Sequence, residues 1–241
     1  MTIPRLHLDQ PLEAGREVAA SPGQAHHLGG VLRRAPGDKV LLFNGADGEW
    51  AGRIATLRRD RATLVPERQT RPQAPEPELR LLVAALKRDA MDWVAEKATE
   101  LGAALIQPVI TRRCVADRVN TGRLLAIARS AAEQCERLTL PRIAGAVALH
   151  AALEAWDGAP LLIGAERAGA PPIPRIAQGL RPPLGWAVGP EGGFDRAELD
   201  AACRYPFVSP VALGPRILRA ETAAVAGLAV LQALAGDGLQ A

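Results

Sequence analysis

Apolar residues along this chain fall into two rhythms, and the change comes near residue 72. Before it, KVLLFNG, GEWAGRIATL and RATLVPE are short β-type runs, and NGADG between the first two holds residues that tolerate positive φ. They predict strands, the first two joined by a hairpin, in a small β-barrel-like module. The module has one helical insertion, SPGQAHHLGGVLRR, where Ser21 is placed to cap and Pro22 suits the first helical position.

After residue 72 the runs become continuously apolar. LRLLVAAL, ALIQPVI, APLLIGA, GWAVGP and FVSPVAL read as strands buried on both faces, as in a parallel sheet. Between and after them DAMDWVAEKATELG, TGRLLAIARSAAEQCERL, DRAELDAACR and AETAAVAGLAVLQALAG carry helical patterns. The alternation predicts an α/β domain with an open sheet. The two textures meet at QTRPQAPEPE, residues 69–78, whose three prolines and lack of apolar period mark a linker. Two domains are expected, residues 1–72 and 73–241, with no internal repeat.

Composition narrows the class. With 241 residues and 48% hydrophobic content the chain can bury a sizeable core. The start, MTIPRLHLDQ, has no apolar h-region, and no run approaches the roughly 18–20 apolar residues of a membrane span, so a cytoplasmic protein is expected. Cys114, Cys135 and Cys203 are odd in number and in no C-x-x-C pattern. They suggest neither a disulfide framework nor a zinc site, and no metal is expected. Residues 1–72 hold 11 Lys and Arg against 8 Asp and Glu, while the remainder holds 18 against 18. The small basic excess lies wholly in the first third, a weak pointer to nucleic acid that an arginine-rich composition explains as well.

In an open parallel sheet, ligands bind beyond the carboxyl ends of the strands. Three loops sit there: ERAGAP after APLLIGA, PEGGFD after GWAVG, and GPRILRAET after VAL. In the second, Gly189, Gly192 and Gly193 let backbone N–H groups approach a ligand, and Asp195 is a plausible cap for the next helix. A tight strand-to-helix turn without a ligand has the same composition. There is no G-x-x-x-x-G-K-[ST], no G-x-G-x-x-G after the first strand, and no serine-hydrolase or zincin signature. P-loop NTPases and Rossmann dehydrogenases are thereby disfavoured.

HHLGGVLR, KATELGAALIQPVITRRC, AAEQCERLTLPRI, AVGPEGGFDRAEL and LGPRILRAETA occur in an order and spacing that resemble the RsmE family, 16S ribosomal RNA uridine-N3 methyltransferases of the SPOUT superfamily. The resemblance spans about 220 of the 241 residues. It implies a SPOUT-type α/β domain with a parallel sheet and trefoil knot, preceded by a PUA-like β-barrel for RNA. It also implies S-adenosylmethionine as methyl donor, 16S rRNA or the 30S subunit as partner, and a homodimer. Ala220, Ala223, Ala224, Ala226, Gly227 and Ala229 supply the small residues a threaded C-terminal helix needs. That helix is apolar on nearly every face, which gives a separate reason to expect a partner surface. A SPOUT enzyme acting on another RNA such as tRNA, and a non-catalytic ribosome-assembly protein, are the competing expectations.

Site residues follow from the same resemblance. Gly189, Glu191, Gly192 and Gly193 with Leu213, Gly214, Ile217, Leu218 and Ala223 would line the donor pocket. Arg216 and Arg219 would flank it as catalytic cations. Uracil N3 carries a proton at neutral pH, so its methylation needs that proton removed and a positive charge near the anion formed. Glu221 is then either the proton acceptor or, the favoured reading, the partner that fixes an arginine. His26, Arg33 and Arg34 on the first-domain helix, and Arg113 with Gln134 and Arg137 in the second domain, would contact RNA.

Overall fold

A computed structural model describes residues 3–165 and 169–239, in which the chain forms two compact units. One comprises Met1–Pro75 with Ala132–Leu140, the other Glu76–Ala131 with Pro141–Ala241. Gln134 and Arg137 therefore belong to the first unit, not to the second as the position of the linker suggested.

The first unit is a five-stranded sheet of β1 (Arg5–His7), β2 (Val18–Ala20), β3 (Lys39–Phe43), β4 (Glu49–Leu57) and β5 (Ala62–Arg71), in the order β1-β3-β4-β5-β2. β1 runs parallel to β3, and the other pairings are antiparallel. The NGADG turn joins β3 to β4 as expected. Asn44 Oδ1 accepts the N–H groups of Ala46 and Asp47, and the Asp47 carboxylate accepts the N–H of Leu12 at 2.9 Å. Inward residues of the strands, among them Leu6, Val40, Leu42, Ile54 and Leu64, close a core with Ala25 and Leu28.

Ala25 lies on α1 (Pro22–His26), which Ser21 and Gln24 open with a reciprocal capping box. The helix then widens into a single π-helical turn, His27–Val31, and stops. Gly29 and Gly30 have little helical preference. Arg33 takes φ 53° and Arg34 donates its N–H to Leu28 O at 2.8 Å, a helix-ending geometry in which glycine usually holds the left-handed position. Arg33 and Arg34 thus stand on the turn leaving the helix rather than on its face.

Sequence reasoning missed one feature of this unit, a buried charge cluster. Arg5 and Glu49 pair at 2.7 Å with side chains 5% and 7% exposed, and Arg71 reaches the same carboxylate at 2.7 Å. Arg5 Nη1 and Nη2 donate to the carbonyls of Ala132 and Arg137, and the Arg5 guanidinium lies 3.8 Å from the centre of the Phe43 ring. Arg71 also donates to Glu136 O, and His7 N–H to the Glu133 carboxylate. These bonds join the sheet to itself or to residues 132–140. Burial raises the Glu49 carboxyl, but the Arg71, Arg5 and Thr70 hydrogen bonds outweigh it and hold the group below the usual carboxylate range.

The second unit is a wholly parallel sheet, as its continuous apolar runs predict. Its strands are β6 (Leu79–Ala84), β7 (Ala103–Ile110), β8 (Arg142–Ile143), β9 (Val147–Ala148), β10 (Leu161–Gly164), β11 (Leu184–Val188) and β12 (Val208–Val211). The order is β12-β10-β11-β6-β7-β8, with β9 also on β7. The helices are α2 (Arg88–Glu100), α3 (Thr121–Gln134), α4 (Leu149–Glu154), α5 (Ile173–Ala177), α6 (Arg196–Ala202) and α7 (Ala220–Ala235), and the last residues of α3 count with the first unit. No helix among the described residues is long and apolar enough to cross a membrane, and none of their His, Cys, Asp and Glu side chains cluster in threes as metal ligands would.

The apolar character of α7 is explained inside this unit. The helix packs against α2, α5 and β11. Trp186 on β11 is fully buried, and its indole N–H donates to Ala223 O at 3.1 Å. A Cβ on Gly227, one turn further on, would stand 2.2 Å from that indole. Only glycine lets the ring lie on the helix. Among the described residues no large, exposed hydrophobic side chain lies on α7, so its composition does not by itself call for a second chain.

Candidate active site

β10, β11 and β12 lie side by side and parallel, so their last residues, Gly164, Val188 and Val211, come together at one edge of the second unit. The loops leaving them surround a small pocket, partly open to solvent. Of the residues expected to line a donor pocket, Gly189, Glu191, Gly193, Leu213, Leu218 and Ala223 border this one, and Arg216 joins them. Gly192, Gly214 and Ile217 do not border it. Ile217 is 65% exposed and opens onto a neighbouring concavity instead.

Local chemistry explains the shape of the PEGGFD loop. Gly193 N–H donates to Pro190 O at 2.8 Å, closing a four-residue turn, and Gly193 takes φ 69°. A side chain at that φ is strained. Asp195 caps α6 by accepting Ala197 N–H, as expected, and also receives Arg112 and Arg113 at 3.2 and 3.4 Å. Desolvation pulls the Asp195 carboxyl upward, yet the Ala197 bond and the two guanidinium groups hold it below its ordinary value. Arg113 also donates to Gly192 O at 3.0 Å. The arginine expected on RNA therefore braces the glycine loop from outside, and its side chain remains 48% exposed.

Gly164, Ala165, Val188, Pro190, Phe194, Val211 and Ala220 complete the lining, and none was expected there from the sequence. Gly164, Val188 and Val211 are strand ends, whose position shows only once the strand order is known. Glu166, Arg167 and Ala168 of the ERAGAP loop lie outside the described residues.

Arg219 and Glu221 border the neighbouring concavity and not the pocket. The two arginines expected to flank one space thus open onto two. Glu221 forms no hydrogen bond or ion pair with Arg216 or Arg219 among the described residues. In the first unit His26, Arg33 and Gln134 are exposed, whereas Arg34 and Arg137 are half-buried, Arg137 donating to Thr139 Oγ1 at 3.2 Å.

Comparison with known proteins matches residues 73–232 to an RNA methyltransferase domain and residues 21–67 to an RNA methyltransferase PUA domain. The chain is 33% identical to the ribosomal RNA small subunit methyltransferase E of Rickettsia conorii, over 97% of both chains. It is 31% identical to the crystal structure of the enzyme of that name from Neisseria gonorrhoeae bound to S-adenosyl methionine, with TM-score 0.88 over 98% of this chain and 99% of that one. A methyltransferase of Legionella pneumophila in complex with its cofactor SAM is 30% identical, with TM-score 0.89 over 98% of this chain and 100% of that one. Strand order, pocket and likeness across almost the whole length lead to one assignment: the chain belongs to the ribosomal RNA small subunit methyltransferase E family.

Proposed function

We infer that this chain is an S-adenosylmethionine-dependent methyltransferase that methylates N3 of a uridine in 16S ribosomal RNA. The observation that carries the reading is the pocket at the ends of β10, β11 and β12, walled by the two loops whose sequences resemble the family's donor site. The pocket suits such a donor. Val188, Val211, Leu213, Leu218 and Ala223 offer apolar walls, the Gly189–Gly193 backbone offers hydrogen-bonding groups, and Arg216 adds one cation. The bound donor supplies a methyl group on a positively charged sulfur, which keeps the bonding pair and leaves neutral.

The protein's own part is to hold the base beside that methyl group, remove the N3 proton and stabilise the anion. Arg216 and Arg219 supply positive charge, with Arg219 on the side where the acceptor enters. In this reading His26, Arg33, Arg34, Gln134 and Arg137 contact the RNA backbone, residues 1–72 bind RNA, and residues 73–241 carry the chemistry. The trefoil threading of α7, a homodimeric working unit and a cytoplasmic site of action belong to it as well.

Incubation with labelled S-adenosylmethionine and 30S particles from a strain lacking the protein tests this. Digestion of the 16S rRNA is expected to release labelled 3-methyluridine from one position. Label confined to tRNA, or to another nucleoside, would replace the substrate named here.

A further inference from the structure

Beside the donor pocket lies a wider concavity of about 870 Å³, between the start of α2 and the segment that enters α7. The two spaces share Glu191 and Leu218 among their lining residues, so one wall with a single carboxylate stands between them. Trp93 on α2 borders the wider space with 39% of its surface exposed. Its charged lining residues are Lys87 and Arg219 against Asp89, Glu191 and Glu221. An excess of carboxylates repels phosphate and suits an uncharged ring.

Resting on the methyltransferase reading, we propose that this concavity receives the uracil base, turned out of its strand, and that Glu191 on the shared wall takes the N3 proton. An exposed indole offers a flat face for a base, the usual means of holding an unstacked nucleotide. The direction of the chemistry selects Glu191. The N3–H bond and the N–CH3 bond that replaces it point the same way in the plane of the ring, so the base must work on the side from which the methyl arrives. Glu221 borders the acceptor space alone, whereas Glu191 touches both. The proton passes from N3 to a Glu191 carboxylate oxygen, the pair left on N3 forms the bond to the methyl carbon, and the pair of the broken carbon–sulfur bond stays with sulfur. Glu191 then gives its proton to water.

Three measurements on the intact protein test this: calorimetric binding of S-adenosylmethionine, binding of unmethylated 30S particles without donor, and single-turnover transfer across pH. Glu191→Gln is expected to keep donor affinity within about threefold and to lose about 100-fold or more in transfer rate. Its residual rate should climb with pH as the uracil ionises unaided, and Glu191→Asp should restore part of the loss. Trp93→Ala is expected to weaken particle binding about tenfold, with Trp93→Phe near the original value. Loss of donor binding in Glu191→Gln would make it a donor contact, and a normal rate would remove it from the chemistry. The same rate loss and pH profile in Glu221→Gln, with Glu191→Gln unaffected, would move the base to Glu221. Sedimentation showing that Trp93→Ala splits a dimer would make the concavity a contact between copies. If the unmodified protein transfers no methyl group to 30S particles, the functional reading itself fails; if it does and Glu191→Gln is unimpaired, only this inference does.

Discussion

Two adjacent glycines in the PEGGFD loop have different reasons to be there. Gly193 borders the pocket at φ 69°, where a β-branched side chain is strongly disfavoured. Gly192 lies outside, and a Cβ there would meet Arg113 at 3.7 Å, an ordinary contact. Gly193→Val should therefore abolish S-adenosylmethionine binding by calorimetry while circular dichroism shows a folded protein, and Gly192→Ala should leave affinity within about threefold. From the sequence alone both glycines read as one ligand-facing patch. The backbone angle that separates them depends on the Pro190 turn, which composition does not encode. Glu221 shows the same limit in reverse: its nearness in sequence to Arg219 suggested a pair, and the entry into α7 leaves the two unbonded.

At the scale of elements, α7 is the most legible and also misleading. Its small-residue pattern was plain, and its bounds were predicted to within a residue of Ala220–Ala235. The reason for the pattern was not. Gly227 is required by one indole arriving from β11, a contact between residues 41 apart in the sequence, and no periodicity reports it. Gly227→Ala should cost about 1–3 kcal/mol of stability, from forcing the Trp186 ring off the helix. Urea denaturation checks this, and Ala229→Ser on the exposed face should change stability by less than about 0.5 kcal/mol. The five apolar strands were equally readable, because burial on both faces leaves no polar alternation to confuse them. The two-residue strands β8 and β9 and the short helices α4 and α5 were not, since each is too brief to show a period.

For the whole molecule, the proposed homodimer has a direct test. If RNA held by the first unit of one copy is presented to the chemistry of the other, Arg33→Glu mixed with Arg219→Ala should regain part of the lost methyl transfer, since some heterodimers carry one intact composite site. Sedimentation of a fully active monomer would contradict the dimer, and dimers without rescue would confine binding and transfer to one chain. The proline-rich stretch 69–78 spans the point, Pro75 to Glu76, where the chain leaves the first unit; the return of residues 132–140 to that unit has no such signal in the sequence, because the charges that secure it lie far from it.

That return sets an order of events during synthesis. When residue 75 leaves the ribosome, the five strands are all present, yet Arg5 lacks the carbonyls of Ala132 and Arg137, and His7 N–H lacks the Glu133 carboxylate. A guanidinium that must be buried with part of its donors unsatisfied opposes closure of the sheet. The first unit therefore makes its last contacts only after residue 140 has emerged, when residues 76–131 of the second unit have already preceded it. The amino-terminal module thus gains its last contacts while residues 141–241 of the second unit are still to come, and a protein cut at the linker would lose the segment that receives the Arg5 donors.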